Sequence, residues 1–353
     1  MDRQRFIDWL KAIGMLAIVI GHVIGSPYNV FNLVSQPVYT KQLGVCFFIF
    51  IIGWSLANQQ KTSFKVVFDR VFPVYFYGIL FALLISSISI FTINDLNESN
   101  YLPFILGINV LFNNFPANPT TWYIGTYLHV LLFWFLFLRG RKITTKHLLI
   151  SLLVEIVFRA LLFFVDKNFI AYMLLPNWLT VFLLGGYLYQ RKDTRWQAKT
   201  ALLVVGWSIV LALWASPLNS LISPKSFPIR ALMTNSDWAP ILRSSLVSFI
   251  YIANTYVFFE IFRRLPKSAI VEFFARNSLI TFIIHMPLIY ALNEEVYSHF
   301  DSLWSKKLAL ILFIFIGSAL ISEIIQRFVN IKYFQEQSWA CTIKMLKITG
   351  DNR

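Results

Sequence analysis

Long apolar segments recur along almost the whole sequence and constrain the fold more than any other feature. Each is close to the ~20 residues that cross a bilayer as an α-helix. Hydrophobic residues make up 57% of the chain and charged residues 14%, whereas a soluble protein carries about 25% charged residues. The pattern predicts an all-α, polytopic transmembrane helical bundle with ten spans, near residues 6–26, 42–58, 70–91, 121–138, 147–165, 169–189, 198–218, 239–262, 277–292 and 307–326.

Two stretches do not fit a span. Residues 101–112 are apolar but too short to cross the bilayer, so we expect a re-entrant or interfacial segment there. Residues 327–353 form a short, basic cytoplasmic tail, for which a helix lying on the anionic inner leaflet is the favoured interpretation. The expected organisation is therefore one ten-helix transmembrane domain, residues 1–326, followed by this tail.

The positive charge of the chain is explained by topology. A net charge of +14 in a soluble protein would suggest nucleic-acid binding. Here 23 of the 31 Lys and Arg fall in segments that ten spans place on the side of the N-terminus, and six fall in the opposite loops. Because cytoplasmic loops are rich in Lys and Arg, we predict that both termini are cytoplasmic, and we expect no nucleic-acid partner.

The first apolar segment carries an ionisable residue near each end, Lys11 and His22, with Asp8 close to the first. Eleven residues of α-helix turn about 1100°, close to three full turns, so the two side chains share one face about 16 Å apart along the axis. Ionisable groups at membrane depth are costly and are candidates for function. Two interpretations stay open: a polar path into the bilayer, or a lysine that extends to the headgroups and a histidine that bonds a neighbouring backbone.

Several common kinds of site are not indicated by the sequence. There is no P-loop, nucleophile elbow or dinucleotide fingerprint. The two cysteines, Cys46 in an apolar segment and Cys341 in the tail, predict no structural disulfide. No metal site is expected, because Cys or carboxylate partners at metal-ligand spacing are missing around each of the five histidines, His22, His129, His147, His285 and His299.

Seven short motifs are spread over nearly the whole chain. The first joins Ile7–Ile13, which includes Lys11, to Gly21-His22, and the second is the aromatic run Cys46–Trp54. The others are Asp69–Tyr75, Thr121–Tyr123, Phe182–Tyr187, Asn277–Pro287, and Ser322-Glu323 near Arg327. In their order and in the number of helices, they resemble the acyltransferase 3 family of integral-membrane acyltransferases. That family has Arg at the position of Lys11 and usually Ser at that of Ile52.

The resemblance implies a multi-pass enzyme of the bacterial cytoplasmic (inner) membrane. It would move an acyl group, usually acetyl from cytoplasmic acetyl-CoA, to a hydroxyl of an extracytoplasmic polysaccharide or lipid-linked sugar, as in O-acetylation during exopolysaccharide biosynthesis. The expected partners are the acyl-CoA donor, the glycan acceptor and membrane lipids. Acyl-CoA is a substrate here, and no permanently bound cofactor is expected. Many relatives carry an additional soluble domain after the helices, whereas this sequence shows only the helical part, so we expect a stand-alone membrane module. Homo-oligomerisation is left open.

The resemblance makes His22 the first candidate catalytic residue. The unperturbed pKa of histidine lies near neutrality, which suits removal of a hydroxyl proton. His22 could act as general base or carry the acyl group transiently. His285 is the second candidate, expected about eight residues and roughly 12 Å from the cytoplasmic end of the ninth span; a hydrogen-bonded packing role is the alternative. Pro287 should free a backbone carbonyl in the same helix.

Three cations are candidates for binding the donor. Lys11, Arg70 and Arg5 lie at predicted cytoplasmic helix ends, where they could meet the phosphates of an acyl-CoA. A lysine binds phosphate as a point charge, without the bidentate fork of arginine, so the change at Lys11 keeps the charge and alters the geometry. For Arg70 and Arg5, the general bias of cytoplasmic loops towards positive charge is an equal explanation.

Four further residues are candidates for binding the acceptor. Trp122 and Tyr123 could stack on a sugar ring or belong to an interfacial aromatic belt. Glu155 and Arg159, four residues apart, could line an acceptor pocket, although a structural ion pair is the favoured interpretation. Elsewhere, Glu323 and Arg327 should tie the last helix to a neighbour, and the pair Gly185-Gly186 should permit close helix packing.

Two other classes of protein compete with an enzyme. A transporter that moves a glycan, a lipid-linked sugar or an acyl group without forming a bond would also place polar groups at the midplane of the membrane. Many transporters show inverted repeats, and none is evident in this sequence. A membrane scaffold would have no need of His22. We therefore predict an acyl-CoA-dependent acyltransferase.

Overall fold

The computed structural model describes residues 4–24, 40–59, 63–92, 100–112, 114–115, 119–191, 198–215 and 237–350. It is 88% helical, and no strand occurs in this part of the chain. 3-10 helices at Pro119–Thr121 and Leu175–Trp178 precede the α-helices Trp122–Phe133 and Leu179–Arg191, and a π-helix at Trp134–Leu138 extends the first of these. The α-helices in chain order are α1 (Arg5–Ile24), α2 (Thr40–Ala57), α3 (Phe64–Thr92), α4 (Tyr101–Ile105), α5 (Asn109–Phe112), α6 (Trp122–Phe133), α7 (Thr145–Phe164), α8 (Asn168–Met173), α9 (Leu179–Arg191), α10 (Ala198–Ala215), α11 (Ala239–Phe262), α12 (Ala269–Ser298), α13 (Leu303–Phe328) and α14 (Ile331–Gly350).

Six helices among the described residues are long and apolar enough to cross a membrane: α1, α3, α7, α11, α12 and α13. Shorter apolar helices occur at Lys41–Ala57, Trp122–Leu138 and Lys199–Ile209. The predicted class, an all-α membrane protein, is therefore confirmed, whereas the count of ten spans is not. Length rather than polarity separates the three shorter helices from the other six.

The predicted span 169–189 is not one continuous helix. α8 ends at Met173, and the backbone of Leu174 is extended, with φ of −76° and ψ of 147°. Pro176 lies in the 3-10 helix that follows. Proline has no N–H to donate and disfavours a helical residue before it, so a new helix, α9, starts at Leu179.

Helix α12 begins eight residues before the predicted span 277–292. Ser268 caps it, since its hydroxyl accepts a hydrogen bond from the backbone N–H of Val271 at 3.4 Å. Glu272 and Arg276 interrupt the apolar run in this part of the helix, so it lies outside any purely apolar window. His285 is therefore 16 residues from the first residue of the helix, about 24 Å at 1.5 Å per residue. The predicted depth of roughly 12 Å was wrong for this reason.

The segment 101–112 folds as two short helices, α4 and α5, joined by a turn. Gly107 in this turn has a φ of 70°, a left-handed conformation that glycine adopts without steric cost. A Cβ at this position would also lie 2.5 Å from the side chain of Leu128 in α6. Two helices this short are consistent with the prediction that residues 101–112 do not cross the bilayer.

Glycines allow the closest helix approaches in the core. A Cβ on Gly14 of α1 would lie 3.1 Å from the carbonyl oxygen of Gly44 in α2. About two turns further along α1, a Cβ on Gly21 would lie 2.5 Å from the backbone nitrogen of Lys41. A Cβ on Gly185 of α9 would clash with the carbonyl oxygen of Phe50 in α2. The predicted close packing at Gly185 is confirmed, and small residues bring α1, α2 and α9 together.

The tail forms helix α14, which packs along the first part of α3. The rings of Phe68 and Trp339 are 4.9 Å apart, and those of Phe76 and Phe334 are 5.4 Å apart. Gln335 of α14 also donates a hydrogen bond to Asp69 at 2.7 Å. The tail is thus helical, as the favoured interpretation required, and an aromatic face docks it on the protein. Its predicted place on a membrane leaflet stays a prediction.

Candidate active site

The two candidate catalytic histidines meet in the interior of the bundle. Their ring centroids are 5.1 Å apart and the ring planes are inclined by 56°. Helices α1 and α12 begin at the same end of the bundle, because the indole of Trp9 donates a hydrogen bond to the carbonyl of Pro266 at 3.0 Å. His22 is 17 residues from the start of α1 and His285 is 16 from the start of α12. At about 1.5 Å per residue, both lie about 25 Å from that end.

The ring of His285 is held in one orientation. The side chain is fully buried, and its Nδ1 lies 2.7 Å from the carbonyl oxygen of Phe282. A carbonyl only accepts hydrogen bonds, so Nδ1 carries a proton and, in the neutral ring, Nε2 carries the lone pair. Nε2 is buried and finds no hydrogen-bond partner in the described part of the chain. Buried polar atoms are nearly always satisfied, so this nitrogen beside a second histidine keeps His285 as a candidate for function.

Pro287 shapes the helix around His285. Proline has no N–H, so the carbonyl four residues earlier, that of Ile283, loses its helical donor. Thr120 supplies one instead, since its Oγ1 donates to the carbonyl oxygen of Ile283 at 3.2 Å. As predicted, Pro287 releases a carbonyl from the helical hydrogen-bond pattern. Thr120, in the 3-10 helix before α6, donates a hydrogen bond to this carbonyl. This bond fixes the beginning of α6 against the helix that carries His285.

Lys41 lies beside the histidine pair, a position that sequence reasoning missed. It belongs to the first turn of α2 and is partly buried. Its backbone touches Gly21, the residue before His22. Its charge acts electrostatically on both His22 and His285, more weakly than burial does. In the sequence, Lys41 is one of the six Lys and Arg of the opposite loops. Gly21, which leaves room for Lys41 next to His22, is the only local signal of the contact.

The three donor-binding candidates occupy different places. Arg5 is exposed at the start of α1, and Lys11 lies partly buried on the same helix, eleven residues before His22. Arg70 in α3 is partly buried and donates to the hydroxyl of Ser55 in α2 at 2.8 Å. Arg70 therefore links α3 to α2, and the predicted role of these cations in binding the donor stays a prediction.

The aromatic pair at the start of α6 packs inward. Tyr123 is buried, and its ring lies 5.0 Å from that of Phe282, the residue whose carbonyl holds His285. The ring of Trp122 stacks on that of Trp178 at 6.2 Å, and Trp178 stacks on Tyr251 at 5.2 Å. Tyr123 is thus one aromatic contact from the histidine pair, whereas Trp122 joins a column of interior aromatic rings. Their predicted contact with a sugar ring stays a prediction.

Glu155 and Arg159 form a fully buried ion pair between α7, α9 and α11. The two side chains meet at 2.6 Å, and neither has any exposed surface. All five guanidinium N–H groups find acceptors, and Glu155 also accepts a hydrogen bond from a backbone N–H at 3.1 Å. The other groups in the network are Asn177, Thr180, Ser244 and Ser248. This saturation favours the structural interpretation, although the predicted acceptor-binding role is not tested by it.

A second polar network joins α12 to α13. Asn277 accepts a hydrogen bond from Ser322 at 2.9 Å and donates one to Glu323 at 3.1 Å. Glu323 also pairs with Arg276 at 2.8 Å and with Arg327 at 3.6 Å. The prediction is confirmed for Glu323, which ties the last apolar helix to the helix of His285, whereas Arg327 pairs with Glu323 within its own helix.

No group of three or more His, Cys, Asp or Glu side chains that could hold a metal ion occurs among the described residues. Both cysteines are free thiols, with Cys46 buried and Cys341 exposed. The ionisable groups beside the histidine pair include the ammonium group of Lys41. The arrangement can therefore exchange protons at imidazole nitrogens in the presence of a fixed positive charge.

These features define a helical membrane protein with a histidine pair and a lysine inside its bundle. A family model described as an acyltransferase domain, Acyl_transf_3, matches residues 4–325, nearly the whole chain. The chain therefore belongs to the acyltransferase 3 family, and we class it as a membrane acyltransferase. No curated protein and no solved structure matches it.

Proposed function

We propose that the protein is a membrane-bound O-acyltransferase. It moves an acyl group, acetyl in the expected case, from cytoplasmic acyl-CoA to a hydroxyl of an extracytoplasmic polysaccharide or lipid-linked sugar. The observation that carries the proposal is the contact between His22 and His285, at a centroid distance of 5.1 Å. Membership of an acyltransferase family supports the reaction class, and the pair provides two proton-transfer groups where one hydroxyl must lose a proton and one thiolate must gain one.

The proposed topology gives the two substrates opposite routes. The distribution of Lys and Arg supports ten spans with both termini in the cytoplasm of a bacterium. The starts of α1 and α12 then face the cytoplasm, and the histidines lie about 25 Å further in. Phosphates of the donor would stay near Lys11, Arg5 and Arg70, while the pantetheine arm extends along α1 to His22. The acceptor hydroxyl would arrive from the outer side, past Tyr123.

Two chemical routes fit the pair. In the direct route, one imidazole takes the proton of the acceptor hydroxyl while its oxygen attacks the thioester carbonyl, and the same proton then passes to the leaving CoA thiolate. In the two-step route, a ring nitrogen of His22 attacks the thioester, releases CoA and carries the acyl group until the hydroxyl attacks. His285 is suited to proton transfer in both routes, because the bond of Nδ1 to Phe282 leaves the lone pair on Nε2.

Transfer of label from acetyl-CoA tests the proposal. Membranes that contain the wild-type protein, His22→Ala or His299→Ala are incubated with radiolabelled acetyl-CoA, and label in the surface glycan of the same cells is measured. His299 is the matched control, since it is an exposed histidine at the end of α12. We expect transfer by the wild type and His299→Ala, and none above background by His22→Ala. Absence of transfer by the wild type, with loss of glycan export on deletion of the gene, would instead indicate a transporter.

The two routes are separated by a quench experiment without acceptor. The two-step route leaves label on the protein after mixing with radiolabelled acetyl-CoA, and peptide mapping should find it at His22. The direct route leaves none. Both outcomes agree with an acyltransferase, so this measurement distinguishes only the two roles of His22. Whether the protein transfers an acyl group at all is tested by the label-transfer assay.

A further inference from the structure

The position of Lys41 is unusual for a cation. It lies in the first turn of α2, which begins at Thr40. The N-terminal end of a helix carries a partial positive charge, so a lysine there is electrostatically unfavourable. The side chain is also partly buried in an apolar bundle, where a charge is costly.

The surroundings of Lys41 point to the histidine pair. Its backbone is pressed against Gly21, whose added Cβ would lie 2.5 Å from the nitrogen and 3.0 Å from the Cα of Lys41. His22 follows Gly21 directly, and the ammonium group interacts electrostatically with both His22 and His285. The start of α2 and the backbone of Lys41 therefore lie next to His22, one member of the histidine pair. The positive end of a helix attracts a group that becomes negative.

We infer that Lys41 is a further catalytic residue, which stabilises the oxyanion formed during acyl transfer. The inference rests on the proposed function, because an oxyanion arises only if an acyl thioester reacts at the histidine pair. A fixed cation placed where charge develops in the transition state is a large source of catalysis, especially in a water-poor site.

The proposed step balances without any further reactant. The oxygen of the acceptor hydroxyl forms a bond to the thioester carbonyl carbon, and its proton goes to an imidazole nitrogen of the pair. The π electrons of the carbonyl move to its oxygen, which becomes the oxyanion paired with the ammonium group of Lys41. When the C=O bond reforms, the C–S bond breaks, and the CoA thiolate takes the proton from the imidazolium. An acyl group on His22 would react with the hydroxyl through the same kind of oxyanion.

Steady-state kinetics of Lys41 variants test the inference. Lys41→Gln keeps length and polarity and removes the charge, whereas Lys41→Arg keeps the charge and alters its geometry. Lys167→Gln is the control, since Lys167 is an exposed lysine in the turn between α7 and α8. We expect kcat of Lys41→Gln to fall by about 10²–10³-fold, as for the loss of an oxyanion donor. The KM for acetyl-CoA should change little, Lys41→Arg should keep part of kcat, and Lys167→Gln should match the wild type.

The outcomes separate this inference from the proposed function. A wild-type protein that transfers no acyl group overturns both. An active wild type with an unchanged kcat in Lys41→Gln overturns only the role of Lys41, as does a raised KM with unchanged kcat, which would mean donor binding instead.

A chemical rescue distinguishes lost charge from lost folding. Lys41→Cys is alkylated with 2-bromoethylamine, which rebuilds a lysine-like side chain, or with iodoacetamide, which adds a neutral one. Wild-type protein is treated in parallel, since Cys341 is exposed. Recovery of kcat with the amine alone supports the inference. Equal recovery with both reagents, or recovery with neither in protein that stays monodisperse in detergent, overturns it.

Discussion

Thr120 donates a hydrogen bond to the carbonyl oxygen of Ile283 at 3.2 Å, and this carbonyl is the one that Pro287 leaves without a helical donor. The bond joins residues 163 positions apart. It connects the turn before Trp122 and Tyr123 to the helix of His285. A proline that weakens α12 thus creates the acceptor that holds the proposed substrate side of the site against the histidine pair.

Replacement of Thr120 by valine tests this connection. Thr120→Val keeps the shape of the side chain and removes its hydrogen bond to the Ile283 carbonyl, which should lower the free energy of unfolding by about 0.5–1.5 kcal/mol. Pro287→Ala is the partner variant, since it restores an N–H for the same carbonyl. Thermal unfolding in detergent of the wild type, both single variants and the double variant should show a smaller cost of Thr120→Val in the Pro287→Ala background. Equal costs in both backgrounds would mean that the bond contributes nothing.

The buried pair Glu155–Arg159 should matter for stability rather than for the reaction. Arg159→Met leaves a buried carboxylate without its partner, and breaking such a pair costs about 3–5 kcal/mol. Thermal unfolding and the yield of monodisperse protein should both fall, while kcat per folded molecule stays near that of the wild type. Lys267→Ala is the control, because the Lys267–Glu272 pair is largely exposed and such pairs contribute about 0–1 kcal/mol.

An acceptor-binding role for the same pair makes the opposite prediction. Arg159→Met would then raise the KM for the glycan while the unfolding temperature stays unchanged. The double variant Glu155→Leu with Arg159→Leu adds a further check, since apolar replacement of a whole buried pair is often tolerated. A stable and active double variant would establish the structural role.

The contact of Gly21 with Lys41 should be sensitive to a single methyl group. In Gly21→Ala the new Cβ would lie 2.5 Å from the backbone nitrogen of Lys41, so α1 and α2 must move apart beside the histidines. A misplacement of about 1 Å can cost about 10²-fold in rate, and we expect a loss of transfer of that order. Gly317→Ala in α13 should have no such effect, because no atom lies within 4 Å of its added Cβ. Wild-type transfer by Gly21→Ala would show that the spacing of the two helices is unimportant.

Helix α14 should dock through its aromatic face. Trp339→Ala removes the contact with Phe68 at 4.9 Å, and an aromatic pair of this kind contributes about 0.5–1.5 kcal/mol beyond its buried area. Amide hydrogen exchange in α14 should therefore become faster, while exchange in α1 and α12 is unchanged. Gln337→Ala, an exposed position on the same helix, serves as control. Unchanged exchange in Trp339→Ala would mean that other contacts hold the tail.

The sequence predicts most of the helices because apolar length and periodicity are local properties. It also predicts that Pro287 frees a carbonyl and that Gly185 permits a close approach, since both follow from the geometry of one residue. The break after Met173 was missed because residues 169–189 read as a single apolar segment. The true start of α12 was missed because the charged residues Glu272 and Arg276 interrupt the apolar pattern before residue 277.

The contacts of the site depend on pairs of helices that lie far apart in the chain. The spacing of Lys11 and His22 places them on one face of α1, but it does not show which helix faces them. That His22 meets His285, and that Lys41 lies beside both, follows from the packing of α1 against α12 and α2. The resemblance of the motifs to a family selects the same two histidines without giving their distance.

The central claim is that His22 and His285 act together in acyl transfer, and a double-mutant comparison tests it most directly. The rate of label transfer from acetyl-CoA is measured for the wild type, His22→Ala, His285→Ala and the double variant, at equal amounts of folded protein. Each single variant should lose about 10²–10⁴-fold, as expected for loss of an acid–base group. The double variant should be within about threefold of His22→Ala, because residues that act as a unit are not additive. A wild-type rate in His285→Ala, or losses that multiply in the double variant, would contradict a shared site.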